Sequence, residues 1–205
     1  MKSKLFLSIF ILSLFYCCEK DEEIDPPAKL DSFLIVGNET ASITTYDTLI
    51  TPAKRCSSIL YKIDLDADEL NDVAFYIYYC YSPSHFTSYF NFDCLTDKVK
   101  VLTNDSIQSP EILEYGDTLN LDRKWTNGSM GILRASGRSC LVGGNGVVYK
   151  TGNWYDLSNK YVGLLIENDD HPVYGWIKLS VPDDDWIASL TVHESGYKKA
   201  AYEAQ

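Results

Sequence analysis

The stretch from Tyr161 to Val181, YVGLLIENDDHPVYGWIKLSV, constrains the fold most: it is two apolar runs joined by a short polar segment. Tyr161, Val162, Leu164, Leu165 and Ile166 supply the bulky and β-branched residues of a strand, and Asn168-Asp169-Asp170-His171-Pro172 supply turn chemistry. In the second run Val173, Gly175, Ile177, Leu179 and Val181 fall on one face and Tyr174, Trp176, Lys178 and Ser180 on the other, the alternation of a half-exposed antiparallel strand. Gly175 beside Trp176 predicts a backbone packed closely under an indole ring. Fifteen Tyr and four Trp against two Met extend the preference for strands along the chain. At 205 residues and 45% hydrophobic content, one well-filled core is the default.

The YVGLLIE and YGWIKLSV segments, with the later SLTVHESGYKKAAYE, resemble the C-terminal half of secreted bacterial β-sandwich domains of a Tyr-Gly-Trp-Ile strand type. The resemblance implies an all-β, antiparallel, jelly-roll-like sandwich in one domain over residues 30–205, and it carries no catalytic residues with it. The N-terminus reads as a targeting segment: Lys2 and Lys4, an apolar run from Leu5 to Phe15, then Cys17-Cys18. It resembles a Gram-negative lipoprotein signal over residues 1–17, with Cys18 the acylated residue because Cys17 places a small side chain before it. Residues 18–29 form an acidic tether, and Glu19-Lys20-Asp21-Glu22-Glu23 resembles the export signal of lipoproteins displayed outside the outer membrane. The expected partner at this end is the membrane, through the lipid anchor. Three tripeptides, Asp47-Thr48-Leu49, Asp105-Ser106-Ile107 and Asp117-Thr118-Leu119, resemble O-glycosylation sites of exported proteins in the same bacteria.

Without residues 1–17 the chain carries 16 basic against 29 acidic side chains. That balance argues against nucleic acid as a partner, since phosphate binding needs a basic face. Beyond the lipid site stand Cys56, Cys80, Cys94 and Cys140, an even number that favours disulfides in an exported chain. No pair has the close spacing of a zinc knuckle. Sequence alone leaves three connectivities; Cys80–Cys94 across a predicted hairpin, with Cys56–Cys140 as the remainder, is the expected one.

Strands are predicted at 32–37, 44–49, 56–63, 73–81, 87–94 and 98–103, with irregular chain over 104–121. The Gly-rich region 125–152 contains at least one strand, near 147–149, and a closing strand covers 186–193. Between the third and fourth strands lies Asp64-Leu65-Asp66-Ala67-Asp68-Glu69-Leu70-Asn71-Asp72. Its spacing resembles the D-x-D-x-D-G-x-x-D calcium loops of secreted bacterial repeats, which implies a structural calcium held by Asp64, Asp66, Asp68, Asp72 and the Leu70 carbonyl. Glu69 stands where Gly normally permits the sharp turn, and Phe75 occupies the place of an EF-hand's final Glu. Trp154-Tyr155, in a predicted loop, is the candidate surface for stacking on a sugar. His85, His171 and His193 read as surface residues, and neither G-x-S-x-G nor H-E-x-x-H occurs.

The leading expectation is therefore a lipid-anchored, surface-exposed, non-enzymatic module that binds a glycan or another surface protein. The alternatives are a polysaccharide or glycan hydrolase, which would show an aromatic-lined groove with two facing carboxylates, and a structural envelope protein.

Overall fold

The computed structural model describes residues 33–38, 41–82, 85–104, 109–127, 129–139, 147–168, 172–182 and 188–199, all within one compact unit, Leu30–Ala201. The strands in chain order are β1 (Phe33–Ile35), β2 (Ser42–Ile50), β3 (Ser57–Ile63), β4 (Val73–Ser82), β5 (His85–Cys94), β6 (Val99–Leu102) and β7 (Thr118–Asn120). They continue as β8 (Trp125–Asn127), β9 (Ser129–Ser139), β10 (Val147–Gly152), β11 (Leu157–Ile166), β12 (Val173–Val181) and β13 (Leu190–Lys199). No helix occurs among the described residues. A five-stranded sheet, β10-β9-β5-β4-β3, and a six-stranded sheet, β2-β13-β12-β11-β6-β8, form an all-β antiparallel sandwich. Phe75, Ile77, Phe90 and Phe92 of the first sheet share one core with Val162, Leu164, Ile177, Leu179, Leu190 and Val192 of the second.

The Tyr161–Val181 hairpin forms β11 and β12 at the centre of the six-stranded sheet. Its second face is less exposed than the alternation predicts. Tyr174 and Trp176 are buried in a smaller cluster with Leu34, Val36, Leu113, Leu119 and Tyr161, because the two-stranded sheet β1-β7 contributes to a cover over that half of the outer face. The glycine under the indole is also a different one. A Cβ on Gly196 would stand 2.4 Å from the Trp176 ring, whereas one on Gly175 would meet Leu65 at 2.3 Å. Trp176 and Gly196 are cross-strand partners, so the ring lies over the neighbouring strand, not over its own.

Some predicted elements differ in extent, and β7 forms inside the stretch 104–121 that the sequence marks as irregular. The Gly-rich region holds β8, the eleven-residue β9 and β10, since β9 gains its partners from β5 and β10. The closing strand continues past His193 to Lys199; Trp186, Asp183-Asp184-Asp185, Asp169-Asp170-His171 and Gly143-Gly144-Asn145-Gly146 lie outside the described residues.

The expected cysteine pairing is corrected. In the β4–β5 hairpin Cys80 faces Thr87 and Cys94 faces Val73, so Cys80 and Cys94 stand seven residues apart along the ladder, about 23 Å. A disulfide spans about 7 Å between Cα atoms at most. The β3–β4 ladder begins Ser57↔Tyr79, which places Cys56 opposite Cys80, and these two form the disulfide. That pairing also removes Cys56 from Cys140; Cys140 and Cys18 lie outside the described residues.

Candidate functional site

The acidic loop closes the β3–β4 hairpin. Leu65 is buried and rests against Gly175 on the core face of β12, which draws the loop against the sandwich. Asp72 is tied at three points: its N–H donates to the Ile63 carbonyl at 2.9 Å, its carbonyl accepts from the Leu95 N–H at 2.8 Å, and its Oδ2 accepts from the Leu65 N–H at 2.6 Å. Asp64 accepts the N–H groups of Asp68 and Glu69 at 3.3 and 2.9 Å. The sharp turn forms without glycine, with Ala67 and Glu69 in the left-handed region at φ 59° and 72°. Such residues cost about 1–2 kcal/mol each and persist only where surrounding contacts hold them.

The result is a convergence of carboxylates. One oxygen from each of Asp64, Asp66 and Asp72 lies within 4.8 Å of the others, and Asp66 and Asp72 are buried. A cation at 2.3–2.6 Å from each ligand holds oxygens up to about 5 Å apart, so the three could hold one metal ion. Asp68 does not join them: its Oδ1 accepts the Leu70 N–H at 2.8 Å in a local turn, and its side chain is exposed. Leu70, the expected backbone ligand, supplies that N–H and has a largely exposed side chain.

Burial, opposed by the Leu65 N–H and reinforced by the charges of Asp66, Asp68 and Asp64, pushes the Asp72 carboxyl up to about 6. Between the ordinary carboxylate range and about pH 6 the folded chain keeps a proton that the unfolded chain has released, so Asp72 stabilises the fold in acid and this contribution is lost as pH rises through about 6. In chelator, urea unfolding should show a loss of about 1–2 kcal/mol between pH 4 and pH 7 relative to an Asp72→Asn protein, allowing for solvent screening around the exposed Asp68. Identical pH profiles for the two proteins would contradict the buried, repelling carboxyl.

Trp154 is not a stacking surface. It is fully buried in the main core and its indole N–H donates to the Pro110 carbonyl at 3.1 Å. Tyr155 is half-buried, with the Lys150 ammonium 5.2 Å above its ring. The aromatic face lies elsewhere. Tyr76 and Tyr78 alternate with the core residues Phe75 and Ile77, so they point outward from the five-stranded sheet. Tyr89, the cross-strand partner of Tyr78, stacks on it at 4.9 Å between centroids and lies 5.8 Å from Tyr76. Leu60, opposite Tyr76 on the edge strand β3, is about half exposed. Burial and the hydrogen bond with Tyr76 raise the Tyr89 phenol above its ordinary range, so it remains neutral. The signal was present in VAFYIYYCY, whose tyrosines at 76 and 78 share a face.

No family model, curated protein or solved structure matches this chain.

Of the three histidines, His85 lies at the start of β5 with Nε2 2.7 Å from the Thr87 hydroxyl, and His193 is on β13 within reach of Ser180. His171 lies outside the described residues. Among the tripeptides, Thr118 is exposed on β7, whereas the Thr48 hydroxyl donates to the Tyr46 carbonyl at 2.9 Å; residues 105–108 lie outside the described residues.

Proposed function

We propose that this chain is a lipid-anchored module displayed on the outside of the outer membrane, which binds glycan through the tyrosine face of its five-stranded sheet. The carrying observation is the row Tyr76, Tyr89 and Tyr78, three half-exposed rings side by side on one sheet face. A row of neutral phenols offers apolar contact to sugar C–H groups and hydroxyls to hydrogen-bond their oxygens. Cys18 is the proposed acylation site and residues 18–29 the tether. On a glycan array the purified mature protein should retain a defined set of sugars, and Tyr78→Ala with Tyr89→Ala should weaken that binding about tenfold or more while the far-ultraviolet spectrum is kept. An array with no signal, or one unaltered by both substitutions, would remove this reading.

The acidic loop is proposed to hold calcium as a structural ion. Three carboxylates and no His or Cys favour a hard cation, and the partly exposed loop leaves room for water in the remaining coordination positions. At an affinity of about 10⁻³ M, 10 mM calcium should add about 1.4 kcal/mol of stability over chelator. The increment should vanish in Asp64→Asn and Asp66→Asn proteins. An equal increment in those variants would show that calcium acts elsewhere.

A further inference from the structure

Along the end of the six-stranded sheet's outer face left uncovered by β1-β7, three neighbouring strand pairs each lose register. The shifts fall between Leu157 and Lys160 on β11, between Lys178 and Leu179 where β12 meets β13, and between Val192 and Glu194 where β13 meets β2. Four residues sit at these irregularities: Asn159 on β11, Ser180 on β12, His193 on β13 and Asp47 on β2. Their polar atoms form one directed chain. The Asn159 N–H donates to Ser180 Oγ at 3.0 Å, Ser180 Oγ lies 2.8 Å from His193 Nε2, and His193 Nδ1 lies 3.4 Å from Asp47 Oδ1. In the sense a nucleophile requires, Oγ accepts from the Asn159 N–H and donates its proton to Nε2, and Nδ1 carries the ring proton toward Asp47.

We propose that Ser180, His193 and Asp47 form a nucleophile, its base and an orienting carboxylate, making Ser180 reactive toward carboxylic esters. Two further observations support a built site over an incidental polar patch. Asp47 and Asn159 hold left-handed conformations, φ 42° and 55°, at the irregularities themselves, which fixes how these two residues are presented. Bulges re-aim side chains, and here three consecutive ones bring the outward groups of four strands into line. The Asp47 contact is longer than an ideal hydrogen bond, as in many substrate-free sites. Leu49, which shares a cross-strand row with Thr191 and Ser180, is 62% exposed and offers an apolar rest for an acyl group.

The chemistry balances without further components beyond ester and water. Ser180 Oγ bonds to the ester carbonyl carbon as its proton moves to His193 Nε2 and the carbonyl π pair moves onto oxygen. The carbonyl re-forms, the carbon–alkoxy bond breaks, and the alkoxide leaves with the proton from Nε2. Water then attacks the acyl-serine in the same way, releasing a carboxylic acid and restoring Ser180. Asn159 stabilises negative charge developing on Oγ. Asp47 is a positioning residue that acts through the imidazole.

The test is covalent labelling of the mature, oxidised protein with a fluorophosphonate probe, mapped by mass spectrometry. A single adduct on Ser180 is expected, absent from Ser180→Ala and slowed about 100-fold or more in His193→Gln. Asp47→Asn keeps a residue that tolerates the left-handed backbone and removes only the charge. It should slow labelling at Ser180 about tenfold, and Asp47→Glu, which keeps the carboxylate, should restore part of the rate; the charged groups around the ring are Asp47 from β2, Glu194 from β13 and Lys178 from β12, and the last two pair with each other. Wild-type protein that gains no adduct on Ser180, or an adduct that forms at the wild-type rate in His193→Gln, would overturn the proposal. The wild-type mapping decides the matter even if a variant fails to fold.

Discussion

Trp176→Ala should lower the unfolding free energy by about 3–5 kcal/mol and the melting temperature by about 10 °C or more, the largest loss expected from one residue of this chain. The indole is fully buried, packs edge-on to Tyr161 at 5.4 Å, and belongs to the cluster that seats β1-β7 on the six-stranded sheet. Trp176→Phe should cost under about 2 kcal/mol, since the indole N–H has no hydrogen-bond partner among the described residues and only ring area is lost. Gly196→Ala should cost about 1–3 kcal/mol by forcing a methyl within 2.4 Å of the ring. In the Trp176→Ala background the same methyl has space, so the two substitutions should be strongly non-additive in denaturant titrations. Additive costs would mean that the ring does not lie on Gly196. Loss of the ring should also raise hydrogen exchange in β1 before the main core opens.

What could be read in the sequence was local, and what could not was set by partners far along the chain. The Tyr161–Val181 hairpin and the strands of VAFYIYYCY announce themselves by alternation over a few residues. The acidic loop is equally local, and its spacing brought Asp64, Asp66 and Asp72 together as expected. Asp68 escaped the same reasoning because an Asp two residues before an amide can satisfy that amide instead of a cation. Trp154 stands outside the strands, yet its ring joins the main core and its indole N–H reaches the Pro110 carbonyl, 44 residues away. Part of the cover over Trp176 comes from β1 and β7, each three residues long and too short to register as a pattern.

The Ser180, His193 and Asp47 chain was unreadable for the same reason in stronger form. Its members come from β12, β13 and β2, and their alignment rests on irregular register, which no periodicity reports. His193, which reads as a surface residue in the sequence, is half-buried on β13. Its neighbours across the sheet decide what it can do there. The tyrosine face belongs to the opposite sheet, so ligand binding and ester chemistry would use separate outer faces of one sandwich, and variants of one should leave the other intact.

Reducing the Cys56–Cys80 disulfide should lower stability by about 3 kcal/mol, chiefly by releasing the unfolded chain from a loop closed over 24 residues of sequence separation. The bond pins the outer end of β3, an edge strand, while the acidic loop closes the other end of the same hairpin. The two constraints should nonetheless act independently. Asp64, Asp66 and Asp72 lie within nine residues, so calcium gathers a short segment whose unfolded freedom the distant disulfide hardly restricts. A Cys56→Ala, Cys80→Ala protein should therefore keep the full calcium increment while melting about 6–12 °C lower than the oxidised parent. Calorimetry in calcium and in chelator measures both effects. If the calcium increment disappears with the disulfide, the loop is held by the bond and not by its own contacts to Ile63, Leu95 and Gly175. If reduction leaves the melting temperature unchanged, the edge strand needs no covalent tie.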